Sequence, residues 1–402
     1  MIGQAHIRTA LAGAALAVLG IAGGTVGASA QTIKIGLINS YSGFLAQAGD
    51  QMQKGIDLYV KEHEKDLPPG VKIEIIKRDD AAAPEVGKRV AQELITRDHV
   101  QLLVGIVGSP IAAAIAPLTQ EAKIPLVITN AAGSAIPRIS PYVVRVSFTL
   151  WQQAYPLGQW AAKQNWKTAY TAVSDFIPGH DAEAAFSKGW SDAGLKMLGS
   201  VRFPTTNPDF APFVQRIKDA KPDVAFIWPP AGEQATGVLK AVRDLGLRRA
   251  GINIVSTQDL VPDEELPNMG DVALGLVTAG TYSSAADRPA NKAFLAAWNK
   301  EYGGKAIPDF LSVHGWDGMA AIFGLIKETR GKFTGDEAIK FLTNWKTADS
   351  PRGAISIDPA TRDIVQTIYM RKTEMKDGKL ANVEFDQIPN VKDPWKEQNP
   401  PK

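Results

Sequence analysis

The residues with the most chemistry to offer stand in Gly105-Ile106-Val107-Gly108-Ser109-Pro110. An apolar run ends there, two glycines allow a tight turn, Ser109 falls where a helix cap would sit, and Pro110 suits a first helical turn. A helix start of this kind presents unpaired N–H groups and a hydroxyl to an anion. Capture of a ligand carboxylate is one reading; the other is a serine that caps its own helix. The segment lacks the lysine of a phosphate-binding loop and the spacing of GxGxxG, which argues against a nucleotide.

Other loops repeat the arrangement. Asn130-Ala131-Ala132-Gly133-Ser134 follows the next apolar run, and its small residues allow close approach to the backbone. Tyr41, Ser42 and Phe44 follow the first run, where an aromatic can wall a pocket. Phe176 and His180 hold the comparable place later in the chain, as do Trp228 and Asp259. Each of these alone reads equally well as packing or surface; their shared position after apolar runs is the argument.

Nothing in the sequence assembles a catalytic or metal site. No GxSxG, HExxH, CxxC or SxxK pattern occurs in a supporting context, so neither an enzyme, nor a cofactor, nor a metal is expected. His63 and His99 read as solvated helix-end residues. Asp79 and Asp80, adjacent on an extended segment, face opposite ways and read as turn and cap residues.

The elements that position these loops alternate. Strands are predicted at 33–39, 71–77, 102–106 and 126–129, separated by helices at 50–64, from Pro84, and to Ala122. An extended passage at 142–151 leads to a helix at 155–164 and a second series. That series has strands at 168–173, 197–203, 223–228 and 252–256, and helices at 181–193, 209–219 and 233–245. A further passage at 276–282 precedes helices at 289–301, 311–328 and 335–344, which are expected to return to the first series. Segments 354–357 and 364–371 alternate like antiparallel or edge strands, and the proline-rich tail from Asp386 is expected to run extended over the surface.

Residues 1–30 have the character of a secretory leader: His6 and Arg8, an apolar stretch from Ala10 to Ala22, and Ala28-Ser29-Ala30 as a cleavage pattern. The mature chain is expected to start at Gln31. With no cysteine, disulfides, thiolate sites and a lipid-bearing cysteine are excluded together. The 44 basic residues, of which only Arg8 is in the leader, against 42 acidic ones leave no field to attract nucleic acid. About 370 mature residues exceed what one core usually holds, so two lobes are expected.

In this order, several short motifs resemble a known family. They are Ile33-Lys34-Ile35-Gly36 with Ser42-Gly43, Gly49-Asp50 with Gly55, Asp79-Asp80 with Pro84, and Gly105 to Ser109, followed by Ile124-Pro125, Pro208-Asp209-Phe210, Pro222-Asp223 and Leu245-Gly246-Leu247. The chain is similar, over about 33–375, to periplasmic solute-binding proteins of ABC importers, in the leucine/isoleucine/valine-binding branch. The resemblance implies an α/β fold of two doubly wound lobes, type I periplasmic binding protein, joined by a three-crossover hinge. The lobes would be 31–147 plus 283–352 and 148–282 plus 353–385, with 386–402 as the tail.

It also implies a cleft bounded by Tyr41, Ser42, Ser109, Ala132, Gly133 and Ser134 on one lobe and by Phe176, His180, Trp228 and Asp259 on the other. Family members that bind amino acids hold the carboxylate on serine and threonine loops and the ammonium on an acidic residue. Here Ser109 matches the serine, Gly133 stands where a threonine is usual, and the acidic position falls on Gln258 or Asp259. The leading expectation is a periplasmic monomer that delivers a small carboxylate, such as an amino acid, to the membrane permease subunits of an importer. Alternatives are a binder of an aromatic carboxylate or amide, a ligand-sensing receptor, and a secreted hydrolase.

Overall fold

The computed structural model describes residues 31–304 and 306–400, so the leader expected over 1–30 lies outside the described residues. The first lobe begins with β1 (Gln31–Asn39), α1 (Ala46–His63), β2 (Val71–Asp79), α2 (Pro84–Thr96), β3 (Leu102–Gly105), α3 (Ser109–Ala122), β4 (Leu126–Ile128) and β5 (Val143–Arg145). All five strands are parallel, in the order β2-β1-β3-β4-β5. Such a sheet carries helices on both faces, and Ile33, Ile35, Leu37 and Ile38 of β1 are accordingly all fully buried. Each buried aliphatic side chain of this kind contributes about 1.5–3 kcal/mol relative to exposure.

The second series is α4 (Leu150–Ala162), β6 (Thr168–Ser174), α5 (Ile177–Ser191), β7 (Lys196–Phe203), α6 (Ala211–Ala220), β8 (Val224–Trp228), α7 (Glu233–Asp244), β9 (Asn253–Thr257), α8 (Leu266–Met269) and β10 (Val277–Gly280). Helix α4 starts five residues earlier than the periodicity predicts. The cause is a capping box: Thr149 Oγ1 accepts the Gln152 N–H at 3.1 Å, and Gln152 Oε1 accepts the Thr149 N–H at 3.0 Å.

The chain then forms α9 (Pro289–Tyr302), α10 (Phe310–Thr329) and α11 (Gly335–Leu342). Helices α9 and α10 pack on α1, and α11 packs on α10. α10 crosses α1 so closely that a Cβ on Gly55 would lie 1.8 Å from the Ser312 carbonyl oxygen. It is started by Asp309, whose carboxylate accepts the Leu311 N–H at 2.8 Å. The remaining elements are β11 (Lys346–Thr347), β12 (Ile355–Asp358), β13 (Asp363–Lys376), β14 (Lys379–Val391) and α12 (Pro394–Gln398).

Together with β6–β10 these last strands make a nine-stranded sheet, ordered β11-β12-β13-β10-β9-β8-β6-β7, with β14 on β13. The segment from Asp386 therefore corrects the expectation of an extended surface tail. Its first part completes a long hairpin with β13, and α12 folds back so that Asp393 and Lys396 are buried. Lys396 is drawn in by the buried carboxylate of Asp363, which also takes the Arg145 guanidinium.

Where the chain passes between the two sheets, buried arginines tie the passages together. Arg352 Nε donates to Asp317 Oδ2 at 2.8 Å and its Nη1 donates to the Ser147 carbonyl at 2.7 Å and to Gln366 Oε1 at 2.5 Å. Its Nη2 reaches the Val146 carbonyl. One side chain thereby joins the passage after β5, the passage before β12, α10 and β13. Arg371 does similar work at the exit of β10, donating to the Tyr282 carbonyl at 2.6 Å and to Thr278 Oγ1 at 3.1 Å.

Candidate functional site

The carboxyl ends of the parallel strands of both sheets face each other, which is where open α/β sheets place their ligand crevices. Between them lies a narrow crevice lined from both lobes, with a cavity volume of about 30 Å³. The first lobe lines it with Gly108, Ser109, Asn130 and Ala132, and with Phe148 and Phe310. The second lobe supplies Phe176, Pro178, Trp228, Pro230 and Asp259. No lysine or arginine is among the lining residues. A larger and more open groove, walled by Tyr59, His63, Phe294 and Trp316, lies on the outer face of the first lobe, away from the strand ends.

The turn that presents Ser109 is built on an enforced backbone. Gly105 has φ +116°, and a Cβ there would stand 2.2 Å from the Ile38 carbonyl oxygen. Ile106, a β-branched residue at φ +70°, follows in the left-handed region, held by its N–H on the Ile38 carbonyl at 2.9 Å. Strain of this kind costs about 1–3 kcal/mol and persists only where surrounding structure imposes it. It delivers Gly108, not Ser109, as the residue before α3.

Ser109 thus does not cap its own helix, which settles one of the two sequence readings: its side chain makes no capping bond. Its Oγ instead accepts the Gly133 N–H at 3.0 Å. The 131–134 loop is itself clamped, since Arg145 Nη1 donates to the carbonyls of Ala131 and Gly133 at 2.8 Å each. Arg145 is held in turn by Asp363, at 2.6 Å from its Nε. With one of its two lone pairs engaged by Gly133, the Ser109 hydroxyl has its proton free to donate into the cavity.

On the opposite wall, Phe176 and Trp228 stand with ring centroids 5.7 Å apart and planes inclined at 38°. Phe44 of the first lobe meets Phe176 edge-on at 6.1 Å. Asp259 lies in the turn directly after β9, and its Oδ2 accepts the Thr257 hydroxyl at 2.6 Å. Burial pushes its carboxyl up to about 6, against the lowering effect of that bond. A folded-state value above the unfolded one means that Asp259 costs stability as pH rises from about 4 to about 6, with the full cost present above that window. The Trp228 indole N–H lies beside the same carboxyl. It reaches hydrogen-bonding geometry with none of the described residues. Asn130 anchors its own loop, donating through Nδ2 to the Val107 carbonyl at 3.0 Å.

The sequence leaves Gln258 and Asp259 as alternatives for the cleft. Asp259 lines the cavity, whereas Gln258 turns behind it, its Oε1 accepting the Thr281 N–H at 2.7 Å. Ser109, Ala132, Phe176 and Trp228 also line it. Gly133 sits behind Ser109, and the N–H of Ser134 crosses to the second lobe, where Asp181 Oδ2 accepts it at 2.9 Å. Ser134 is buried away from the cavity walls.

Besides Gly133 and Ser134, three further residues are placed differently from the sequence expectation. Tyr41 and Ser42 stay on the surface of the first lobe: the Tyr41 N–H and the Ser42 hydroxyl both bond Asp79, at 2.9 and 2.6 Å. The paired acids Asp79 and Asp80 thus hold their own turn and also the neighbouring loop, with Asp80 accepting from Ser40 at 2.6 Å. His180 faces solvent, 2.7 Å from Asp175. Conversely, Phe148 and Phe310 were missed. They come from a crossing segment and a returning helix, so no strand-end rule finds them; the Asp309 cap ahead of Phe310 was the one local signal.

The comparisons with known proteins converge on one family. A family model described as periplasmic binding protein matches residues 32–379. A Leu/Ile/Val-binding protein homolog 6 from Brucella melitensis is 37% identical over 382 residues, covering 94% of this chain and 97% of its own. An ABC-transporter solute-binding protein from Rhodopseudomonas palustris BisB5, solved with 3,4-dihydroxybenzoic acid, is 46% identical. It matches with a TM-score of 0.87 over 91% of this chain and 99% of its own. Another, from Rhodopseudomonas palustris HaA2 with p-hydroxybenzoic acid, is 40% identical, with a TM-score of 0.88 over 92% of this chain and 100% of its own.

Proposed function

This chain belongs to the periplasmic binding protein family, as a solute-binding protein of the ABC-transporter type with the two-lobed α/β fold, and on that premise we propose that its ligand is an aromatic carboxylate of the benzoate class. Family membership carries the coarser function with it: binding of a small solute in the periplasm for delivery to a permease. The observation that carries the finer reading is the composition of the cleft. Rings from both lobes form its walls, and a single free hydroxyl at a helix start is its anion-receptive group.

In this reading the ligand carboxylate meets the Ser109 hydroxyl and the start of α3. A charge-assisted hydrogen bond and the positive end of the helix dipole offset its loss of water without a cationic side chain. Asp259, on the other lobe, repels a second negative charge and so sets the ligand's direction in the cleft. The ring lies between Phe148 and Phe310 on one side and Phe176 and Trp228 on the other, where burial of a flat apolar face is favourable. Both ligands named for the two solved relatives are aromatic acids, which supports the same class here. The amino-acid reading rests on Asp259 as an ammonium partner and has no support from the ring-lined walls.

Closure follows from a ligand that touches both lobes: the closed arrangement gains contacts that the open one lacks, and the population shifts accordingly. The contacts between lobes are in place for it, including Ser134 to Asp181 and Gln47 to Glu265. A thermal-shift screen tests the class, since binding to the native state alone raises the melting temperature. Benzoate-type acids are expected to raise it and leucine is not; the reverse pattern would return the protein to the amino-acid reading. Ser109→Ala is expected to weaken binding by about 1–2 kcal/mol, roughly tenfold, by removing one bond to a charged acceptor. Calorimetry showing unchanged affinity in that variant would leave Ser109 as a loop anchor only.

A further inference from the structure

We infer that Asp259 and Trp228 together read a hydroxyl on the ligand's ring, at the end opposite its carboxylate, so that ring-hydroxylated aromatic acids are selected over unsubstituted ones. The inference rests on the aromatic-acid reading above and adds the substituent that the cleft selects. Trp228 is the last residue of β8, 2% exposed, with an indole N–H that bonds none of the described residues. The acceptor beside that N–H is the Asp259 carboxyl, which the indole helps to hold down against the effect of burial. Asp259 is 6% exposed and lines the same cavity. Its Oδ2 is taken by Thr257, which leaves acceptor capacity on the carboxyl.

A donor and an acceptor thus stand side by side on one wall. Their complement is a group that donates once and accepts once, which describes a phenolic hydroxyl: O–H to Asp259, lone pair to the indole N–H. An ammonium donates only and leaves the indole unpaired. A ring C–H or C–F satisfies neither group well, and a second carboxylate meets the like charge of Asp259. The nearby Arg371 does not supply a competing donor from the cleft. Its Nη1 and Nη2 are spent on Tyr282 and Thr278, and it lies fully buried on β13. Burial of the Asp259 carboxyl, which raises it to about 6, means that a hydroxyl donor relieves an existing desolvation cost.

Sites built to hydrogen-bond a ligand hydroxyl reject the analogue lacking it far more strongly than apolar pockets reject an extra methylene. Titration calorimetry of the wild-type chain with benzoate, 4-fluorobenzoate, 4-aminobenzoate and 4-hydroxybenzoate reads this directly. The expected result is 4-hydroxybenzoate binding at least about tenfold tighter than benzoate and 4-fluorobenzoate, with 4-aminobenzoate also weaker than the hydroxy acid. In Trp228→Phe, which keeps a ring and deletes the N–H, and in Asp259→Asn, which removes the charge, the preference for 4-hydroxybenzoate over benzoate should shrink towards one, whatever either substitution does to the affinity for the ring itself.

Benzoate and 4-hydroxybenzoate binding equally to the wild type would overturn the hydroxyl reader and leave the aromatic-acid reading standing. A wild-type preference that survives intact in both variants would also overturn it, by moving recognition elsewhere. Failure of every aromatic acid to bind would overturn both readings together. The wild-type panel decides the matter even if a variant does not fold.

Discussion

Replacing Arg352 with methionine is expected to cost about 3–5 kcal/mol of stability, the usual consequence of removing one partner from a buried ion pair. The guanidinium and the Asp317 carboxylate are each 1% exposed, and Asp317 also accepts from Ser350 at 2.8 Å. Burial already pushes the Asp317 carboxyl up against the pull of Arg352, so without the arginine it becomes an uncompensated buried acid. The Val146 and Ser147 carbonyls and Gln366 lose a donor as well. Urea denaturation of wild type and variant measures the loss. Adding Asp317→Leu to the variant is expected to restore part of it, because an apolar pair is less costly than one stranded charge. A loss below about 1 kcal/mol would mean that the passages between the lobes are held by packing and not by this network.

Gly133→Val is expected to weaken ligand binding by about 3 kcal/mol, roughly two orders of magnitude in Kd. A Cβ at this position would meet Ile177 Cγ2 at 3.0 Å, Ile136 Cδ1 at 3.3 Å and Ser109 Cβ at 3.4 Å. Ile177 begins α5 on the second lobe, so the tightest contact exists only when the lobes are together. The backbone at Gly133 does not require glycine by φ, and the penalty is therefore steric. Stability in the absence of ligand should fall much less than affinity, and Gly133→Ala should lie between wild type and the valine variant. Equal losses of stability and affinity would assign the glycine to packing within the first lobe.

The two-lobed alternation was legible because a residue run buried on both faces and a helix with one apolar stripe leave different periods in the chain. Such runs are not needed in every strand: β1 alone, with Ile33, Ile35, Leu37 and Ile38 buried, carries the signal for a covered parallel strand. What the periodicity could not supply was the hairpin of β13 and β14 and the fold-back of α12. The fold-back of α12 depends on Lys396 and Arg145 meeting Asp363, residues far apart in sequence, whereas the hairpin is turned locally by Asp377-Gly378, a polar signal outside the apolar pattern. The start of α4 is encoded locally, in Thr149 and Gln152, a polar signal that apolar periodicity passes over.

Strand ends identified the loops of the cleft more reliably than the side chains that turn into it. Ser109, Phe176, Trp228 and Asp259 line the cavity, whereas Tyr41, Ser42 and His180 are diverted by Asp79, Gln53 and Asp175. A polar group on a neighbouring strand, helix or turn captures the residue, and no spacing rule anticipates which one will be in reach. The rings of Phe148 and Phe310 enter from segments that cross or return, so they become visible only when the two series are assembled.

The central claim, that the cleft closes on an aromatic carboxylate, is tested most directly by titration calorimetry of the purified chain with 4-hydroxybenzoate and with leucine under the same conditions. Saturable binding of the aromatic acid at one ligand per chain, with no heat of binding for leucine, is the predicted result. Saturable binding of leucine with none for the aromatic acid would contradict it.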